Sequence, residues 1–80
     1  MPTVVWLKIL KAVDEVSREN PLKVAPVKEV IKRLDIAEYN VRNLLSRMKK
    51  EGLVENPIYG CYRLTEKGRK YLESPEKLFI

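Results

Sequence analysis

The sequence contains no histidine, no glutamine and only one cysteine, Cys61. Without histidine, a Cys/His zinc site cannot form, and the side chain that most often serves as an acid–base catalyst is missing. A single cysteine cannot form an intramolecular disulfide, which favours an intracellular protein, and we expect a cytoplasmic one. Because Cys61 has neither a CxxC partner nor a predicted helix N-terminus beside it, we interpret it as a small strand residue, not a redox sensor. The missing glutamine, beside many Lys and Glu, hints at a thermophilic or archaeal source.

Long apolar runs are also missing. The longest near the N-terminus, Val4-Val5-Trp6-Leu7, is far shorter than the roughly 20 residues of a membrane span and lacks the features of a signal peptide. No paired carboxylates in a plausible cleft and no glycine-rich phosphate loop are evident. We therefore expect a protein that is not an enzyme, with no membrane partner, metal or cofactor.

Eighty residues suffice for one domain, and we treat 1–80 as a single unit with a small core. The net charge of +5, from sixteen basic and eleven acidic residues, favours a polyanionic partner. Residues 27–54 hold seven basic and four acidic residues, which is +3, whereas each flanking segment carries +1. We therefore expect such a partner to bind the middle of the chain.

Apolar residues recur at helical spacing in three segments before residue 52. The first covers about 3–19 and places Asp14 on its polar side. The second begins near Pro26, which suits a first helical turn. The third covers 38–51, and Gly52 is expected to end it in a left-handed conformation.

Two strand-like runs and a fourth helix follow. Leu53-Val54-Glu55 and residues 61–64 are expected to pair around a turn at 56–60, and 22–24 is a candidate third strand. Thr65 is a suitable N-cap for the last helix, which we expect to end near 73–74. Gly68 lies inside that helix, where glycine costs about 1 kcal/mol relative to alanine, so we expect close packing there.

This order of helix, helix, turn, helix, hairpin and helix resembles the winged helix-turn-helix family. The resemblance rests on two motifs, Lys49-Lys50-Glu51-Gly52-Leu53-Val54 and Tyr62-Arg63-Leu64-Thr65-Glu66-Lys67-Gly68. Small MarR-like and ArsR-like bacterial or archaeal transcription regulators look most similar. The resemblance implies a mainly α fold with a small β-hairpin, in which a three-helix core carries a wing and a C-terminal helix. The chain departs from the family in having Ala37 as N-cap of the third helix and no Lys or Arg at the wing tip.

The resemblance implies that helix 38–51 is a recognition helix that enters the major groove of double-stranded DNA. Arg can pair with guanine and Asn with adenine, and helix-turn-helix proteins make such contacts from the N-terminal part of this helix. Asn40, Arg42 and Asn43 have the required side chains at that place. The expected DNA-binding residues are Tyr39, Asn40, Arg42, Asn43, Ser46, Arg47, Lys50, Arg33 and Arg63.

Each of these residues also has a purely structural interpretation. The outer face of the third helix can be an ordinary solvated surface, and Tyr39 can cover the second helix. Arg47 and Lys50 suit a helix C-terminus whether or not they bind phosphate. For Arg63 we favour a phosphate contact over a cross-strand pair with Glu55.

The two ends of the chain are more apolar than so small a core requires, which indicates an interface. The expected interface residues are Val5, Trp6, Leu78, Phe79 and Ile80. We expect a symmetric homodimer whose recognition helices lie about 34 Å apart and read a palindrome. In the alternative, Trp6 belongs to the core and the tail folds back onto the first helix.

The leading functional prediction is sequence-specific DNA binding by a small transcription regulator. One alternative is a winged-helix module for protein–protein interaction, which the uncharged wing tip favours. Another is non-specific binding of nucleic acid by an architectural protein, with steep salt dependence and no sequence preference.

Overall fold

The computed structural model describes residues 4–73, which form four helices and a three-stranded antiparallel sheet. The elements, in chain order, are α1 (Val4–Glu19), β1 (Ala25–Pro26), α2 (Val27–Arg33), α3 (Glu38–Lys50), β2 (Val54–Ile58), β3 (Cys61–Leu64) and α4 (Glu66–Glu73). This is the predicted winged-helix architecture, with α1, α2 and α3 as the helical core and β2 and β3 as the wing. Within these residues, no helix has the length and apolar composition that crossing a membrane requires.

The core lies between the apolar stripe of α1 and the inner faces of α2, α3 and the sheet. Ile9 and Val13 of α1, with Leu45 and Met48 of α3, are completely buried. Burial of such side chains stabilises the fold by about 1.5–3 kcal/mol each. Trp6 belongs to the same cluster and is only 7% exposed.

One residue of α1 lies on a different side from the prediction. Asp14 is buried, although the helical pattern placed it on the polar face. Its carboxylate binds Nε of Arg18 at 3.1 Å and Nη1 of Arg69 at 3.4 Å. Because a buried carboxylate must be paired, the two guanidinium groups make the burial possible and link α1 to α4.

The end of α3 confirms the predicted glycine cap. Gly52 has φ +79°, and its N–H donates to the carbonyl of Lys49 at 3.0 Å, while the N–H of Leu53 donates to that of Met48 at 2.9 Å. This pair of bonds is a Schellman motif, which satisfies the last carbonyls of the helix. At the other end, Ala37 caps α3 without a side-chain hydrogen bond, as its methyl group requires.

The sheet differs from the prediction in two places. The third strand is Ala25–Pro26 and not 22–24, because Lys23 has φ +59°, a conformation outside the extended region. In addition, β2 continues to Ile58, so that only Tyr59 and Gly60 form the tip of the wing. In β2, Glu55 pairs with Arg63 and Ile58 pairs with Cys61 of β3, and the pairing is irregular between these two positions. The irregularity accommodates Pro57.

Helix α4 is fixed to the end of α3 by the hydroxyl of Thr65 and by the packing of Gly68. The N–H of Gly68 donates to Oγ1 of Thr65 at 3.1 Å, which confirms Thr65 as the N-cap. The same hydroxyl donates to the carbonyl of Gly52. Gly68 is buried against the backbone of Leu53, so the close packing expected at this glycine is present.

Candidate functional site

The outer face of α3 forms one side of an open groove of about 620 Å³. Its floor is apolar, with Val5, Ile36 and Leu44. The polar residues along it are Asn40, Asn43, Ser46, Arg47 and Lys50. Five of the nine predicted DNA-binding residues thus lie together, on a surface that presents amide, hydroxyl and cationic groups.

Arg42 lies on another side of α3, in a second groove of about 480 Å³ beside the wing. This groove, the wing groove, is lined by Pro26, Val27, Lys28, Arg42, Asn56, Tyr59, Gly60 and Tyr62. Nε of Arg42 donates to Oε2 of Glu38 at 2.9 Å, so one of its donors is already used within the helix. Tyr39 lines neither groove and is 75% exposed. The structure therefore separates the predicted base-reading residue Arg42 from Asn40 and Asn43.

Arg33 and Arg63 lie away from both grooves. Arg33 donates a hydrogen bond to the carboxylate of Glu19, and this bond raises the pKa of the Arg33 guanidinium above its ordinary value. Arg63 is paired across the wing with Glu55. The antiparallel register sets Glu55 and Arg63 opposite each other, where opposite charges attract, so the cross-strand pair given as the alternative is present. The phosphate contact of Arg63 stays a prediction.

The remaining cations of α3 have no such partner. Among residues 4–73, Arg47, Lys49 and Lys50 form no ion pair with a carboxylate. All three lie in the last turn of α3, where positive charge also complements the helix dipole. Both interpretations given above for Arg47 and Lys50 therefore stay open.

The tip of the wing is apolar and exposed. Tyr59 is 99% exposed and Ile58 47% exposed, and neither has a cationic neighbour along the tip. Phosphate binding is favoured by positive charge, and the tip offers only the hydroxyl of Tyr59 and backbone N–H groups as donors. The tip consequently suits contact with a protein better than contact with nucleic acid.

Two of the five predicted dimer residues, Val5 and Trp6, lie in the part of the chain that the structure describes. Val5 is 38% exposed at the edge of the α3 groove, whereas Trp6 is a core residue. A side chain buried in the monomer has little surface left for a second copy, so the structure favours the alternative in which Trp6 belongs to the core. Its contact with a second copy stays a prediction. Leu78, Phe79 and Ile80 lie outside the described residues.

A third concave site was not predicted. It has a volume of about 310 Å³ and is lined by Ser17, Arg18, Lys23, Arg63, Leu64 and Arg69. Its cations come from four separate parts of the chain, so no local sequence pattern predicts it.

A search of residues 4–73 for metal sites finds no cluster of three or more His, Cys, Asp or Glu side chains that could hold a metal ion.

The comparisons with known proteins give one match. The model of the MCM protein C-terminal winged helix-turn-helix domain matches residues 6–65, which is most of the chain and runs from α1 to Thr65. No curated protein and no solved structure gives a significant match. The predicted likeness to MarR-like and ArsR-like regulators was therefore wrong at the level of the family, although the winged-helix prediction is confirmed. The chain belongs to the family of MCM protein C-terminal winged helix-turn-helix domains.

Proposed function

We propose that the chain is a protein-contacting, regulatory module of the kind found in MCM replicative helicases, and not a transcription regulator. Its family supports this proposal. The observation that carries it is the wing tip, where Ile58 and Tyr59 expose apolar surface beside a groove. Exposed aromatic residues next to a concave, partly apolar surface are typical anchors of protein interfaces.

The distribution of charge supports the same proposal. Three of the arginines predicted to bind DNA, namely Arg33, Arg42 and Arg63, are paired with carboxylates of the same chain. An arginine that binds phosphate from such a pair must first give up or share its carboxylate. The net positive charge of the domain therefore overstates the number of cations that are ready for a DNA backbone.

The proposal is tested with a purified MCM protein that lacks its own C-terminal winged-helix domain. Calorimetric titration at low and at high salt should detect a complex whose affinity changes little with salt, because apolar contacts dominate it. Anisotropy with a pooled random duplex, measured in parallel, should detect only weak binding that salt abolishes. Tight duplex binding without any MCM complex would contradict the proposal.

DNA binding through α3 is the second candidate, and the row of amides and cations along its groove favours it. Each phosphate contact would add about −0.9 to the slope of log affinity against log salt. Selection of bound sequences from the random pool separates its two forms: an enriched palindrome favours a dimeric, sequence-specific protein, and no enrichment favours an architectural one. The homodimer is a proposal too, and sedimentation equilibrium tests it directly.

A further inference from the structure

Four cationic side chains from separate elements converge on the third concave site. Arg18 belongs to the end of α1, Lys23 to the following turn, Arg63 to β3 and Arg69 to α4. We name this site the basic pocket. None of the residues that line it belongs to α3, so it is separate from the α3 groove and from the wing groove.

The guanidinium groups of the basic pocket are held in place by acidic residues that leave donors unused. Asp14 binds Arg18 through Nε and Arg69 through Nη1, and Glu55 binds Arg63 through Nε. The terminal amino groups of Arg18 and Arg63 thus stay available to a ligand. Because the carboxylates restrict these side chains beforehand, a ligand loses less of its binding free energy to ordering them.

The charge of the pocket is positive even after these pairs are counted. Four cations against the carboxylates of Asp14 and Glu55 give a local charge of +2. Asp14 has only 11% of its side chain exposed and lies beneath its two arginines, so a ligand meets mainly the guanidinium groups. A compact, doubly charged anion matches such a site in both charge and size.

We propose that the basic pocket binds a phosphorylated side chain of a partner protein. Arginine forks match the oxygens of a phosphate group, and clusters of arginine are the usual means of recognising phosphorylated peptides. A DNA backbone fits less well, because its phosphates follow one another along a track, whereas these cations converge on one small concavity flanked by acidic residues. The proposal does not depend on the wing tip or on the proposed function.

The test uses a fluorescein-labelled glycine–serine peptide that carries one phosphoserine, with its unphosphorylated form as the reference. Two substitutions remove charge from the pocket and leave Asp14 fully paired, Arg63→Gln and Lys23→Asn. Asparagine is chosen because it tolerates the left-handed backbone of Lys23 better than most residues do. Arg47→Gln on α3 is the matched control, and thermal unfolding verifies that each variant is folded.

The wild-type chain should bind the phosphorylated peptide and not the reference. Each pocket substitution should weaken binding about tenfold, as expected for the loss of one charged hydrogen bond, and Arg47→Gln should leave it unchanged. Equal binding of both peptides, or an equal effect of Arg47→Gln, would overturn the proposal. Complete displacement of the peptide by an equal concentration of inorganic phosphate would also overturn it, because the pocket would then be a site for free phosphate. A loss of random-duplex binding in the pocket variants alone would overturn it too, because the pocket would then be a site for nucleic acid.

Discussion

Nε of Arg42 donates a hydrogen bond to Oε2 of Glu38, one turn earlier in α3, at 2.9 Å. Arg42 is the residue of this helix best suited to read a guanine, and Glu38 is at the same time its partner and a favourable charge at the helix N-terminus. The pair is exposed, so it contributes only about 0.3–0.5 kcal/mol to stability. Its main consequence is that Arg42 is not freely available to DNA.

The first prediction concerns this pair. Glu38→Gln should release Arg42 and steepen the salt dependence of random-duplex binding by about 0.9 in log–log slope, the value for one additional phosphate contact. Glu29→Gln is the control, because it changes the net charge equally but releases Lys32 on α2 instead. Identical effects of the two substitutions would mean that the pairing of Arg42 does not limit DNA binding.

The second prediction concerns Gly68. A Cβ at this position would lie 2.0 Å from the carbonyl oxygen of Leu53, a distance that only a backbone movement can relieve. Gly68→Ala should therefore lower the free energy of unfolding by about 3 kcal/mol, although alanine favours helix. Gly60→Ala is the comparison, since a Cβ there meets no atom within 4 Å and only the positive φ is strained. Urea denaturation measures both, and equal losses would show that packing against Leu53 is unimportant.

The third prediction concerns the buried carboxylate of Asp14. Asp14→Asn keeps the size of the side chain but removes the charge that binds Arg18 and Arg69, and should lower the free energy of unfolding by about 1.5–3 kcal/mol. Glu15→Gln, at an exposed position of the same helix, should change it by less than about 0.5 kcal/mol. The account is contradicted if the two variants have the same urea midpoint.

The fourth prediction concerns Trp6, which lies in the core. Trp6→Ala should lower the free energy of unfolding by about 3–5 kcal/mol, as large-to-small changes of buried aromatic residues do. Because the loss arises within one chain, the accompanying shift in melting temperature should be the same at all protein concentrations. A loss that diminishes as the concentration rises would instead place Trp6 in a dimer interface.

The sequence predicts the fold well because its main features are local. Helical periodicity located α1, α2 and α3, Gly52 marked the end of α3, and Thr65 the start of α4. The third strand was misplaced by a few residues because the left-handed backbone of Lys23, which is not glycine, leaves no trace in the pattern.

The candidate site was less predictable because it depends on residues distant in sequence. Arg63 lies opposite Glu55 because of the register of the hairpin. A charge pattern alone does not fix that register, so the sequence favoured a contact of Arg63 with DNA. Likewise, Asp14 and Arg69 are separated by 55 positions in the sequence. The burial of Asp14 and the basic pocket beside it therefore cannot be predicted from either helix alone. The family itself could not be separated from other winged-helix families by motifs that describe their common fold.

The most direct test of the central claim is calorimetric titration of an Ile58→Ser/Tyr59→Ala variant into the MCM protein that lacks its own winged-helix domain. An Arg47→Gln/Lys50→Ala variant serves as the control on α3. If the wing tip anchors a protein partner, the wing variant should bind about thirtyfold more weakly than the wild-type chain, the effect of losing an aromatic anchor, while the α3 variant binds normally. Unchanged binding by the wing variant, together with loss of binding by the α3 variant, would contradict the account and return α3 to the centre of the function.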